Sequence, residues 1–247
     1  MKRLSLFLSI LFALTLILSP ILHAPLLAKE ETYPTVSMKK DLTLADCVFF
    51  GDSTTYGLFR FNAHNDGRFG KNYYTLQDSQ IWTPKSGTFY LGNLLNLRVS
   101  LPSFGEVTLT EALKAHTPSV FVITVGINGL TAWDKDTFLK YYEKLLETVE
   151  KASPKTITVL QSVYPIGEAA REKLPHFTNE KINEVNAWIA LLAKKKNLCF
   201  LDTASLLKNE MGALDERFHN GDGLHLSTEG FNRMLQNLEA FLSRGDV

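Results

Sequence analysis

Ser53 follows Gly51 and Asp52 at the end of an apolar run, in the stretch FFGDSTTYG (49–57). A serine hydroxyl placed there can serve in two ways. It can attack a carbonyl if a base takes its proton, or it can cap the next helix, a job for which Asp52 and Thr54 compete with it. Far down the chain, NGDGLHLSTEG (220–230) carries Asp222 and His225 three residues apart in a glycine-rich loop. An imidazole can take the proton of a serine, and a carboxylate beside it fixes the tautomer and steadies the charge that develops. Taken alone, the same pair is equally a capping aspartate and a surface histidine. Asn128, in TVGINGL (124–130), follows another apolar run that ends at Gly126. Its amide can donate to the oxyanion of a tetrahedral intermediate, or it can simply occupy a turn. A metal reading would take His219, Asp222 and His225, but no further ligand cluster accompanies them, and zinc takes a defined set of three or four. No metal is expected.

These residues need elements to hold them. DCVFFGD (46–52), SVFVITVGIN (119–128), KTITVLQSVYP (155–165) and NLCFLDTA (197–204) are near-continuous apolar runs. Such runs belong to parallel strands covered on both faces. Between and after them, residues 134–153, 178–197 and 227–243 carry apolar residues at helical spacing, with Thr178 or Asn179 and Ser227 as start signals. The alternation predicts an α/β protein, a three-layer α/β/α sandwich on a mostly parallel sheet. Function in such sheets gathers beyond the carboxyl ends of the strands, where Ser53 and Asn128 both fall. Residues 60–109 break the pattern. TFYLGNLLNLRVSLPSFGEVTL (88–109) reads as β-hairpin material, a β-rich insertion near the site.

At 247 residues and 45% hydrophobic content, the chain suits one packed core rather than two. Its 26 basic and 26 acidic residues cancel, so no basic footprint points to nucleic acid. Met1-Lys2-Arg3 precedes an uncharged run over residues 4–22, and Ala24 or Ala28 then offers a cleavage site. Residues 1–28 read as a secretory signal or, because the run approaches spanning length, as an uncleaved membrane anchor. Either way the body is expected outside the membrane, secreted or held at the cell surface. Residues 29–43 read as a linker and 44–247 as the domain.

Together, Gly51-Asp52-Ser53, Gly126-Ile127-Asn128-Gly129 and Asp222-Gly223-Leu224-His225 resemble the sequence blocks of the GDSL, or SGNH, hydrolase family, in the right order across residues 45–243. The resemblance implies a flavodoxin-like sheet with strand order 2-1-3-4-5 and a serine esterase or acylhydrolase without a cofactor. It implies Ser53 as nucleophile, His225 as base and Asp222 as its partner. It also implies an oxyanion hole from the N–H of Ser53, the N–H of a block-two glycine and the side chain of Asn128. Gly87 is favoured as that glycine, and Gly105 is its competitor. Gly129 stands where the family carries an acidic residue, which bears on the loop more than on the chemistry.

The implied activity is removal of small acyl groups, such as acetyl, from a small-molecule or glycan ester. A lipid or thioester acylhydrolase is the enzymatic alternative, with the aromatic insertion supplying an apolar groove. A non-catalytic glycan-binding or envelope-assembly module is the alternative of another class. Trp82 either stacks on a sugar or packs under the insertion, and Tyr164 and Pro165 are candidates for the pocket wall. Asn186 and Trp188 read as local caps or packing, and Lys194, Lys195 and Lys196 suit the end of a helix. The implied strand order places Cys47 and Cys199 three strands apart, too far for a disulfide.

Overall fold

The structure, a computed structural model, describes residues 42–63, 71–102 and 104–244 of the chain. The expected leader (1–28) and all of the linker except residues 42 and 43 lie outside the described residues.

The apolar runs form the sheet. β1 (Cys47–Gly51), β2 (Ile81–Trp82), β5 (Val120–Thr124), β6 (Ile157–Gln161) and β7 (Cys199–Leu201) are all parallel, in the order β2-β1-β5-β6-β7. That is the expected 2-1-3-4-5 order, and the fold is a mostly parallel α/β sheet with helices. All five residues of β1 and of β5 are buried, because helices cover both faces. The two-residue periodicity of a strand then divides the core. Val48, Phe50, Phe121 and Ile123 join one apolar cluster, with Leu113 of α2 (Leu109–His116), Leu145 of α3 (Lys135–Ala152) and Ile189 of α5 (Asn179–Lys196). Cys47, Phe49, Val120 and Val122 join the other, with Leu58 of α1 (Ser53–Ala63) and Leu235 of α7 (Thr228–Leu242).

Helix starts follow the capping signals. Thr137 N–H donates to Asp134 Oδ1 (2.8 Å), Lys181 N–H to Thr178 Oγ1 (3.2 Å) and Gly230 N–H to Ser227 Oγ (3.1 Å). Each satisfies one of the N–H groups that a helix start leaves without a partner.

The insertion differs from expectation in one part. β3 (Arg98–Leu101) and β4 (Gly105–Thr108) form an antiparallel hairpin, but residues 91–96 form 3-10 turns rather than strand. The sequence LGNLLN there has no two-residue alternation to expose one face and bury the other. The hairpin hangs on the edge of the sheet, where Ser100 N–H donates to Thr83 O (2.9 Å). Strand β2, which the implied 2-1-3-4-5 order requires, has no counterpart among the apolar runs of the sequence. Two residues are too short to show a period, and tertiary pairing with Phe49 and Phe50 makes the strand.

Candidate active site

β1 ends at Gly51 and the chain turns at once into α1. The turn is tight: a Cβ on Gly51 would lie 2.1 Å from Thr55 Oγ1 and 2.4 Å from Thr124 O, so only glycine fits. The competition for the helix cap falls to Asp52. Its Oδ1 accepts from Thr54 N–H (3.1 Å) and Thr54 Oγ1 (3.0 Å). That leaves the Ser53 hydroxyl for another partner, and it meets His225 Nε2 at 3.1 Å, across 172 residues of sequence.

Behind the imidazole, His225 Nδ1 lies 2.7 Å from Asp222 Oδ2. An ionised carboxylate can only accept, so Nδ1 carries the proton and Nε2 faces Ser53 as an acceptor. Asp222 Oδ1 is held in turn by the N–H groups of Leu224 (2.7 Å) and His225 (2.8 Å). Partial burial pushes the Asp222 pKa up, but these N–H bonds and the facing imidazole outweigh it and hold the pKa below the ordinary value. Asp222 therefore favours its ionised form, the form that accepts from His225 Nδ1–H.

Asp52 is the opposite case. It is 1% exposed, and burial pushes its pKa up to about 6 against the pull of Thr54 and His225. Its Oδ2 accepts from Asn128 Nδ2 (3.3 Å), and the same amide nitrogen donates to Phe89 O (3.0 Å). Asn128 thus stands beside the turn that carries Ser53, with its amide already donated to protein acceptors.

The expected glycine donor does not fit as simply. Gly87 N–H closes a turn onto Pro84 O at 2.8 Å, so it is occupied within its own loop. Gly87 does lie against α1, since a Cβ there would come 3.2 Å from the Tyr56 ring. Gly105, the competitor, lies exposed at the start of β4, with nothing within 4 Å of a Cβ. Ser53 N–H opens α1, where the first-turn donors have no intrahelical acceptor.

A cavity of about 640 Å³ opens over Ser53 and His225, walled by α1 and by residues 219–231, with Tyr56, Arg60, His219 and Phe231 among its lining. Trp82 does not reach it: the indole is 1% exposed, its N–H donates to Ser79 O (2.9 Å), and its ring packs on Phe121. Tyr164 is buried and does not line this cavity either. His219, weighed in the sequence only as a metal ligand, has its Nδ1 occupied by the N–H groups of Gly221 (2.9 Å) and Gly223 (3.3 Å). The buried state of Asp52 and this use of His219 left no trace in residue spacing, because both depend on what folds against them.

The GDSL-like Lipase/Acylhydrolase family model matches residues 49–233. No curated protein matches the chain by sequence. A structure from Streptococcus pneumonia named for platelet activating factor superposes with a TM-score of 0.56 at 20% identity, over 84% of this chain and 86% of that one. A GDSL-like lipase from Bacteroides thetaiotaomicron gives 0.52 at 21% identity, over 80% and 87%. The acetyl xylan esterase AlAXEase gives 0.52 at 18%, over 79% and 98%. At these identities the structural likeness speaks to the fold.

Proposed function

The chain belongs to the GDSL-like lipase/acylhydrolase family, and on that premise we propose an exported serine esterase that removes small acyl groups, such as acetyl, from carbohydrate. The observation that carries this reading is the hydrogen-bonded series Ser53 Oγ, His225, Asp222, opening into one cavity. His225 Nε2 takes the Ser53 proton as Oγ bonds to the ester carbonyl carbon. The tetrahedral intermediate then collapses, the C–O bond to the alcohol breaks, and the proton on His225 leaves with the alcohol. Water, deprotonated by His225, attacks the acyl-serine, and the acid departs with Ser53 restored. Asp222 keeps the imidazole in the tautomer that accepts at Nε2. Ser53 N–H faces the oxyanion, and Asn128 joins it by exchanging Phe89 O for the developing charge.

The cavity walls bear on acyl size. They come from α1 and residues 219–231, and no residue of the insertion over 88–109 is among them. Carbohydrate as the acceptor is supported by the half-exposed Tyr56 ring at the cavity and by an acetyl xylan esterase among proteins of this fold. Export rests on the leader-like residues 1–28.

An organophosphonate probe tests the mechanism. It should form one adduct, on the peptide holding GDSTTYG, because Ser53 is the one serine hydrogen-bonded to a histidine among the described residues. Ser53→Ala should remove the adduct. His225→Ala should abolish it in a folded protein, and each change should lower kcat on p-nitrophenyl acetate by at least ~10³-fold. Among p-nitrophenyl esters from C2 to C12, the short ones should turn over best. A folded protein that takes no label at Ser53 between pH 6 and 9 would sink the reading.

A further inference from the structure

The loop that carries Asp222 and His225 makes few backbone bonds of its own. Its ends are drawn together by the bridge between His219 and Leu226 and by the Asn220 N–H to His225 O bond (3.0 Å). Inside, side chains take the N–H groups one by one. Asp222 N–H donates to Asn220 Oδ1 (3.1 Å), and those of Leu224 and His225 donate to Asp222 itself. The remaining two, from Gly221 and Gly223, converge on His219 Nδ1 at 2.9 and 3.3 Å. They bracket Asp222 on both sides. Gly223 is gripped at its other end as well, where Gly167 N–H donates to its carbonyl (2.7 Å). The wrap needs glycine: Gly223 has φ +75°, and a Cβ there would lie 2.6 Å from Ala170 N.

Two N–H donors meeting one ring nitrogen define that nitrogen. Nδ1 of His219 accepts, so its ring carries the proton on Nε2. His225, six residues on, holds the opposite tautomer, with Nδ1–H donated to Asp222. One imidazole does chemistry while the other replaces the backbone carbonyls that an irregular loop lacks.

We propose that His219 is a positioning residue of the active site, whose neutral Nδ1 anchors Gly221 and Gly223 and thereby fixes Asp222 against His225; this rests on the serine-hydrolase reading above. No other side chain bonds to both flanks of Asp222 among the described residues. Loss of the acceptor would free the loop at two points and let Asp222 drift. A misplacement of about 1 Å in such a group lowers turnover on the order of 10²-fold.

Three substitutions separate this role from mere packing. His219→Ala removes ring and acceptor. His219→Phe keeps a ring and removes the acceptor. His219→Asn keeps an acceptor, Oδ1, at the same bond distance as Nδ1. Each folded variant is measured for kcat and KM on p-nitrophenyl acetate and for amide hydrogen exchange in the peptide spanning 220–226. Ala and Phe should lower kcat by ~10–10²-fold with KM changed less than about twofold, and should speed exchange at least about tenfold. Asn should stay within about threefold of the parent in both measurements. Parental kcat in both Ala and Phe overturns the proposal, and so does an Asn variant as impaired as Ala. If the parent protein turns over no ester, the functional reading fails, and the exchange data alone decide the anchoring: unchanged exchange in Ala and Phe refutes it.

Discussion

Ser53, Asp222 and His225 were legible as candidates because nucleophile, base and orienting carboxylate each need a particular side chain at a particular kind of turn. Asp52 was legible only as one of three competing caps. Its burial gives it a consequence for stability. A carboxyl whose folded-state pKa is raised, here to about 6 from 3.8, binds its proton more tightly in the folded state than in the unfolded chain. Its contribution to stability is therefore greatest at low pH and is lost as pH rises through that window. A rise from 3.8 to about 6 corresponds to roughly 3 kcal/mol. Asp52→Asn cannot titrate, so the parent's stability relative to this variant should fall by about 2–3 kcal/mol between pH 3.5 and 7. Denaturant unfolding at several pH values measures the difference, and a difference flat with pH would show that Asp52 titrates normally. Asp222 works in the opposite sense, since its lowered pKa makes acidification destabilising.

Among the elements, the long helices were readable to within a residue at each end, because caps and helical spacing are local signals. The irregular chain after β6 was not. Residues 162–167 leave the sheet buried, and α5 pairs two of them, Val163 and Ile166, with two asparagines. Asn186 accepts from Val163 N–H (2.7 Å) and donates to Val163 O (2.8 Å), and Asn179 does the same at Ile166 (2.8 Å each way). Asn186 in mid-helix reads in the sequence as a local cap or local packing, whereas it pairs with a backbone 23 residues away. Asn186→Ala would leave a buried N–H and C=O without partners, at about 1–3 kcal/mol for each such group. A loss of about 2–4 kcal/mol in equilibrium unfolding is expected, with Asn186→Asp intermediate because it keeps only the acceptor. A loss below about 0.5 kcal/mol would mean that other groups satisfy Val163.

For the whole molecule, strand order decides the fate of the two cysteines. β1 and β7 are three neighbours apart in the sheet, on the order of 14 Å, while a disulfide needs Cα atoms within about 7 Å. Both thiols are buried and free, and burial pushes their pKa up, to about 12 for Cys47 and about 11 for Cys199. They should resist alkylation in the folded protein and react fully once it is denatured without reductant. Two thiols titrated per chain is the expected count, and none would contradict the sheet order.

The sequence by itself determined the layers, the limits of the three long helices and the candidate reacting side chains, because apolar period, capping chemistry and nucleophile chemistry are written in local residue types. Only the tertiary structure decided what those residues share. It closed 172 residues of chain into one hydrogen bond between Ser53 and His225, made a strand of two residues, donated Gly87 N–H to Pro84, and set His219 beneath Asp222. Each of these depends on which backbone group another segment brings within about 3 Å, a distance that spacing along the chain does not encode.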